Sequence, residues 1–207
     1  APDLDSPSDL IGLFNFINNC RNEDLLLAYH DRSDGGLFTT LAEMAFAGHC
    51  GVDIQLQALD AEDNVLAALF NEELGAVVQV REKQLASVMK YADENGLSAC
   101  VHEIAKLNDK GKISIALGEN VLFTQGRIEL QRQWAATSYH MQSMRDNSVC
   151  AHEEYDQLLD AADPGISIEL SFDLNEDITA PYINVDAKPR IAVLREQGVN
   201  GQIEMGA

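Results

Sequence analysis

The stretch that most restricts the fold runs from Leu25 to Ile54, LLLAYHDRSDGGLFTTLAEMAFAGHCGVDI. Five apolar or small residues, Leu25 to Tyr29, have strand character, and Leu37, Leu41, Met44, Ala45 and Ala47 follow at near-helical spacing. The polar His-Asp-x-Ser-Asp-Gly-Gly cluster is therefore expected in the turn between a strand and a helix. Such a junction calls for an α/β arrangement, because a helix leaving the end of a strand packs back across the sheet.

Alternating patterns continue along the chain. Residues 8 to 20 place Leu10, Leu13, Phe14 and Ile17 on one helical face, with Ser8 or Asp9 as N-cap. VDIQLQ reads as a strand. AEDNVLAALFNEELG reads as a helix with acids in its first turn and apolar Val65, Leu66, Leu69 and Phe70, followed by the strand AVVQVRE. A further helix, EKQLASVMKYADENG, turns Leu85, Val88 and Met89 inward and stops at Gly96. SACVHEIAKL, KISIALG and NVLFTQGR are strands, the last two joined by the turn GEN. A long helix is expected over 128–147, with Leu130, Trp134, Met141 and Met144 near one side, and a shorter one through CAHEEYDQLLD. Trp134 and its methionine neighbours read as core. The expected fold is mixed α/β (α+β): a largely antiparallel sheet of about five or six strands with helices over one face.

Beyond these helices the pattern changes. Pro164, Pro181 and Pro189 punctuate an acidic stretch that reads as a linker. Ile191 to Leu194 then resembles a short buried strand, as if the polypeptide stopped just after a further domain begins.

Charge narrows the choice of partners. Formal net charge is −20, from 34 acidic and 14 basic residues, so the surface repels a nucleic-acid backbone. A phosphorylated small molecule is still admissible where backbone N–H groups and a divalent cation screen the field. The cysteines Cys20, Cys50, Cys100 and Cys150 form no C-x-x-C pair and have no zinc-ligand spacing with histidine, and read as reduced thiols that mostly pack. With no secretory pattern and no run of 18 apolar residues, the expectation is a soluble cytoplasmic chain without a membrane partner.

The opening turn carries the most chemistry. Asp31 is a hard oxygen ligand suited to magnesium, and Ser33 can donate to a phosphate oxygen. Gly35 and Gly36 leave room for a ligand against the backbone, ahead of a helix N-terminus with unpaired N–H groups. A magnesium-nucleotide would suit this set. The plainer alternative is that Asp31, Ser33 or Asp34 merely caps the helix and the glycines only make the turn. His30 alone reads more simply as a hydrogen-bonded strand-end residue than as a catalyst. Glu72 and Glu73 are either a carboxylate pair near the site or a solvated helix end, and His102, His140 and His152 lack ligand-like partners.

Several words in this sequence, taken together and in order, resemble a known family. AYHDRSDGGLFTTLAEMAFAGHCG, LFNEELGAVVQV, MRDN, DPG followed by SFDLNED, and KPRIAVLREQGVN are similar to the phosphoribosylformylglycinamidine synthase family in its large, single-chain form, also called formylglycinamide ribonucleotide amidotransferase. The resemblance implies a fragment of a purine-biosynthesis ligase that uses formylglycinamide ribonucleotide, ATP and glutamine. Residues 1–145 would be the C-terminal α/β domain of the second synthetase half, like that of the aminoimidazole ribonucleotide synthase superfamily. Residues 146–187 would be a linker, and 188–207 the first strand and loop of a glutamine amidotransferase domain.

The same resemblance implies Asp31 as a magnesium ligand, and Ser33, Asp34, Gly35 and Gly36 as contacts to ATP or ADP, at a site that leans towards a structural ADP. It places no catalytic residue in this chain, since the glutaminase nucleophile would lie beyond Ala207. Partners would be the remaining synthetase and glutaminase domains of the same polypeptide. The isolated fragment would be inactive. In the parent enzyme ATP would activate the substrate amide oxygen and ammonia would displace phosphate. Two rivals stand beside this: a scaffold module that holds no nucleotide, or another ATP-using member of the superfamily.

Overall fold

A computed structural model describes residues 3–4, 6–59, 61, 64–183 and 190–207. The chain divides into two compact units, Ala1–Asp163 and Pro164–Ala207. In the first, α1 (Pro7–Asn22) leads to β1 (Leu26–Asp31), α2 (Gly36–Ala47), β2 (Gly51–Gln55), α3 (Val65–Phe70) and β3 (Ala76–Val80). Then come α4 (Leu85–Glu94), β4 (Ala105–Asn108), β5 (Lys112–Leu117), β6 (Asn120–Gly126), α5 (Arg127–Arg145) and α6 (Ser148–Gln157).

The mixed α/β class holds, but the strands form two sheets rather than one. β1 and β3 make an antiparallel ribbon, and the other four lie in the order β4-β2-β5-β6. β2 runs antiparallel to β4 and parallel to β5, while β5 and β6 form the hairpin that the GEN turn announces. Alternation explains the larger sheet: Val52 and Ile54 of β2 and Ile113 and Ile115 of β5 are buried, whereas Asp53 and Gln55 point outward. The split follows from two separate apolar clusters. One gathers Leu37, Leu41, Phe46, Ile54 and Ile113; the other gathers Phe16, Cys20, Val88, Ala92 and Leu97. The ribbon leans on both, Val77 against the first cluster and Leu26 and Val80 against the second.

Several boundaries and faces differ from expectation. α1 starts at Pro7, whose fixed φ suits a first helical position, so Ser6 rather than Ser8 or Asp9 takes the N-cap place. Its buried face is Gly12, Phe16 and Cys20, leaving Leu10 and Phe14 exposed. The cause is close packing, since a Cβ on Gly12 would come within 2.6 Å of the Asn95 carbonyl oxygen. α3 is one short stretch capped by the Asn64 side chain, which accepts from Ala67 N–H; Leu66 and Phe70 are exposed, and Glu62 and Asp63 lie outside the described residues. In α4 Val88 and Ala92 are buried while Met89 is exposed. The helix does stop at Gly96, at φ +74°. Of SACVHEIAKL only the end, β4, is strand, because only there does β2 offer a partner.

Trp134, Met141 and Met144 are exposed on α5 rather than core. α5 packs on α2, with Leu130 against the first cluster, and on α6 through Tyr139 stacked on Tyr155, with the Arg132 guanidinium 3.9 Å from the Tyr155 ring centre. All four cysteines are free, and only Cys20 is buried. No helix among the described residues is long and apolar enough to cross a membrane.

In the second unit the described residues contain no strand. Ile191 to Leu194 are not one, having no neighbouring strand to bond with, and the single helix is α7 (Gln202–Gly206). The preceding stretch is held by side-chain turns, Asp173 accepting from Asn175 N–H and Asp177 from Thr179 N–H. Pro189 lies outside the described residues.

Candidate functional site

Pairing with β3 carries β1 through His30 and Asp31, so both belong to the strand end and not to the turn. Arg32 locks the junction: its N–H donates to Gly75 O at 2.9 Å, its Nε to Glu73 O at 2.6 Å and its Nη2 to Leu74 O at 3.3 Å. Burial lowers the guanidinium pKa while the Glu73 charge works against that, and an arginine starts so high that it keeps its charge. The loop between α3 and β3 is thereby fastened beside the turn.

The two glycines have a steric cause. Gly35 and Gly36 lie at φ +80° and +66°. A Cβ on Gly36 would stand 2.8 Å from Leu69 O and from the Phe70 backbone, so the first turn of α2 presses on the end of α3. Thr40, buried one turn later, shares its hydroxyl between Gly36 O at 3.0 Å and Asp31 O at 3.2 Å.

None of Asp31, Ser33 or Asp34 caps α2. The N-cap residue is Gly35, and its N–H donates to Glu72 Oε1 at 3.0 Å. Glu72 is thus the acid that the turn recruits, whereas the Glu73 carboxylate accepts from Asn71 Nδ2 at 3.2 Å. Asp31, Ser33 and Asp34 are all exposed. Asp31 shares its strand face with Tyr29, whose phenol pKa is raised by burial first and then by hydrogen bonding and charge from Asp31.

His30 points to the opposite face, as strand alternation requires. Its Nε2 lies 2.7 Å from Glu43 Oε2, and Glu43 Oε1 accepts from Trp134 Nε1 at 2.9 Å. The hydrogen-bonded strand-end reading of His30 therefore describes the geometry. Arg32, Thr40 and Glu43 escaped the sequence reading; Arg32 stands at the unspecified position of the motif, and Glu43 announces itself only as the one charged residue of its helix.

The junction can present the exposed carboxylates of Asp31 and Asp34, the Ser33 hydroxyl and a helix start to a phosphorylated ligand. Among the described residues no three His, Cys, Asp or Glu side chains converge as a metal cage. Magnesium does not need one, since it keeps several waters and is held by one or two carboxylates together with phosphate oxygens. An exposed carboxylate such as that of Asp31 is suited to this kind of ligation. His102 and His140 join no such cluster, and His152 instead contacts Tyr139 at 3.1 Å and Asp156 at 3.2 Å.

Residues 12–118 match the family model described as AIR synthase related protein, C-terminal domain. Solved structures are similar at the level of the fold. Thermotoga maritima PurL complexed with ATP is 14% identical with a TM-score of 0.53, over 60% of this chain and 22% of that one. PurLQS from the same organism gives 14% and 0.54 over 60% and 22%, and PurL complexed with FGAR gives 14% and 0.51 over 57% and 20%. The chain spans about a fifth of the length of these structures.

Proposed function

The chain belongs to the AIR synthase related protein family through its C-terminal domain, and from that premise we propose that it is part of a purine-biosynthesis ligase. In this reading the parent makes formylglycinamidine ribonucleotide from formylglycinamide ribonucleotide, ATP and glutamine. The piece in hand completes a magnesium-nucleotide site, of the retained ADP kind, and docks a glutaminase. It supplies no catalytic residue and has no activity alone. The remaining synthetase and glutaminase segments of the same polypeptide are its partners, and the cytoplasm is its place of work.

The observation that carries this reading is the β1–α2 junction, where exposed Asp31 and Ser33 stand ahead of a helix start whose capping is supplied from elsewhere. Asp31 would hold magnesium, which neutralises phosphate charge when bound. Ser33 would donate its hydroxyl to a phosphate oxygen, and the Gly35-Gly36 turn would set the start of α2 against the ligand. Arg32 and Thr40 fix the turn without touching the nucleotide. The similar structures complexed with ATP and with FGAR support the ligand classes.

One observation favours the scaffold reading instead: Glu72 already satisfies Gly35 N–H, so the turn is stable without a ligand. ATP turnover separates the two. The expected result is no ATP hydrolysis or amidine formation by the 207-residue chain, and turnover together with bound nucleotide when it is assembled with its parent segments. An assembly that turns over normally when Asp31 and Ser33 are both replaced by alanine contradicts a catalytic-ATP role. One that also binds the same amount of nucleotide contradicts the site.

A further inference from the structure

A cleft of about 1300 Å³ opens in the first unit, and its walls include β1, β3 and β4. Those three strands have unspent edges: β4 is the terminal strand of the larger sheet, and β1 and β3 pair only with each other. Edge N–H and C=O groups of this kind template another strand. The volume exceeds the roughly 300–1,000 Å³ of small-ligand pockets. Exposed Leu10, Leu27, Tyr29, Leu74, Met89 and Leu107 line the cleft, so its surface is apolar where strand side chains would alternate inward.

Its charges are lopsided. Asp9, Glu73, Glu82 and Glu103 border the cleft, while Arg32 is engaged by loop carbonyls and Lys106 stands 3.7 Å from Glu82 and 3.6 Å from Glu103. A second copy of this chain would bring another −20 charges to that border.

We infer that the cleft receives one extended strand, apolar at alternate positions and basic at its flanks, which bonds to the β4 edge and to the β1–β3 ribbon and joins the two sheets into one. The strand comes from another stretch of the parent polypeptide. That source rests on the reading of this chain as part of a longer synthetase, since the match covers only 22% of the similar structure. Main-chain bonds give such a docking its affinity, and alternate side-chain pockets its selectivity.

The test uses the 207-residue chain and the peptide KKVTVTVKK, followed by amide hydrogen exchange. The expected result is saturable binding that slows exchange in Ala105–Asn108 and in the β1–β3 ribbon together. N-methylation of alternate peptide amides and Leu107→Glu, a change at an exposed position, should each weaken binding at least about tenfold, the latter with unaltered circular dichroism. Nine-residue peptides tiled along the rest of the parent should include one that displaces the probe.

Absence of protection, binding indifferent to N-methylation, protection that grows with self-association, or protection of these amides by magnesium-ADP would each overturn the inference. Failure of every tiled peptide would overturn the parent source. Asp31→Ala should leave peptide binding unchanged, so loss of the peptide result alone leaves the nucleotide reading standing.

Discussion

The backbone N–H of Gly35 donates to the Glu72 carboxylate at 3.0 Å, placing an acid from the α3–β3 loop at the start of α2. A phosphate arriving at that helix start meets a carboxylate already using one of its donors. Replacing Glu72 by Gln removes the competing charge and keeps an acceptor. Magnesium-ADP should then bind the assembled synthetase roughly two- to fivefold more tightly, matching the ~0.3–1 kcal/mol that a charge at a helix end carries. Calorimetric titration measures it; unchanged or weaker binding would show that Glu72 supports the ligand instead of competing with it.

Gly36 and Gly96 both have positive φ, yet only Gly36 faces a backbone wall. Gly96→Ala adds a methyl to open space and should lose about 1 kcal/mol from conformation alone. Gly36→Ala meets Leu69 and Phe70 backbone atoms at 2.8 Å and should lose about 3 kcal/mol or more. Urea unfolding of the two variants compares them directly, and equal losses would deny the contact between α2 and α3.

Glu43 ties His30 to Trp134, the sole tryptophan of the chain. Glu43→Ala should cost about 1–2 kcal/mol, because two polar partners lose an acceptor at partly exposed positions. Tryptophan emission should also shift to the red as the indole leaves its position beside Phe46, whose ring centre is 5.9 Å away. A stability loss with unaltered emission would place the effect elsewhere.

Burial pushes the Cys20 thiol pKa up, while Cys100 and Cys150 are exposed. The folded state holds the Cys20 proton more tightly than the unfolded chain does. Its stabilising contribution is therefore complete below the unfolded thiol pKa of about 8.5 and is lost as pH rises through the higher folded value. A thiol reagent at neutral pH should label Cys100 and Cys150 first and Cys20 only on unfolding. Cys20→Ala should flatten the alkaline fall in stability; an unchanged fall would assign it to other groups.

The strand-turn-helix junction was legible because Gly35-Gly36 interrupts two strong periodicities, and β2, β5 and β6 because their apolar residues alternate. What escaped the sequence depended on contacts made across it. Gly12 chooses the buried face of α1 through Asn95, over eighty residues away, and no periodicity on α1 reveals that neighbour. His30 and Asp31 are adjacent in the motif, but pairing with β3 extends the strand through both and turns them to opposite faces. Glu72 caps α2 from a distant loop, so the acids inside the motif remain exposed. Ile191 to Leu194 have strand composition but no strand partner among the described residues, and composition alone makes no sheet.

Asp31 tests the central claim most directly. The chain is assembled with the synthetase segment that the proposed function places upstream, purified, and denatured, and the released nucleotide is counted for wild type and for Asp31→Ala. The account predicts magnesium-dependent ADP in the wild-type assembly and its loss in the variant. Equal nucleotide in two properly assembled proteins would contradict it and reduce the His-Asp-x-Ser-Asp-Gly-Gly turn to a way of starting a helix.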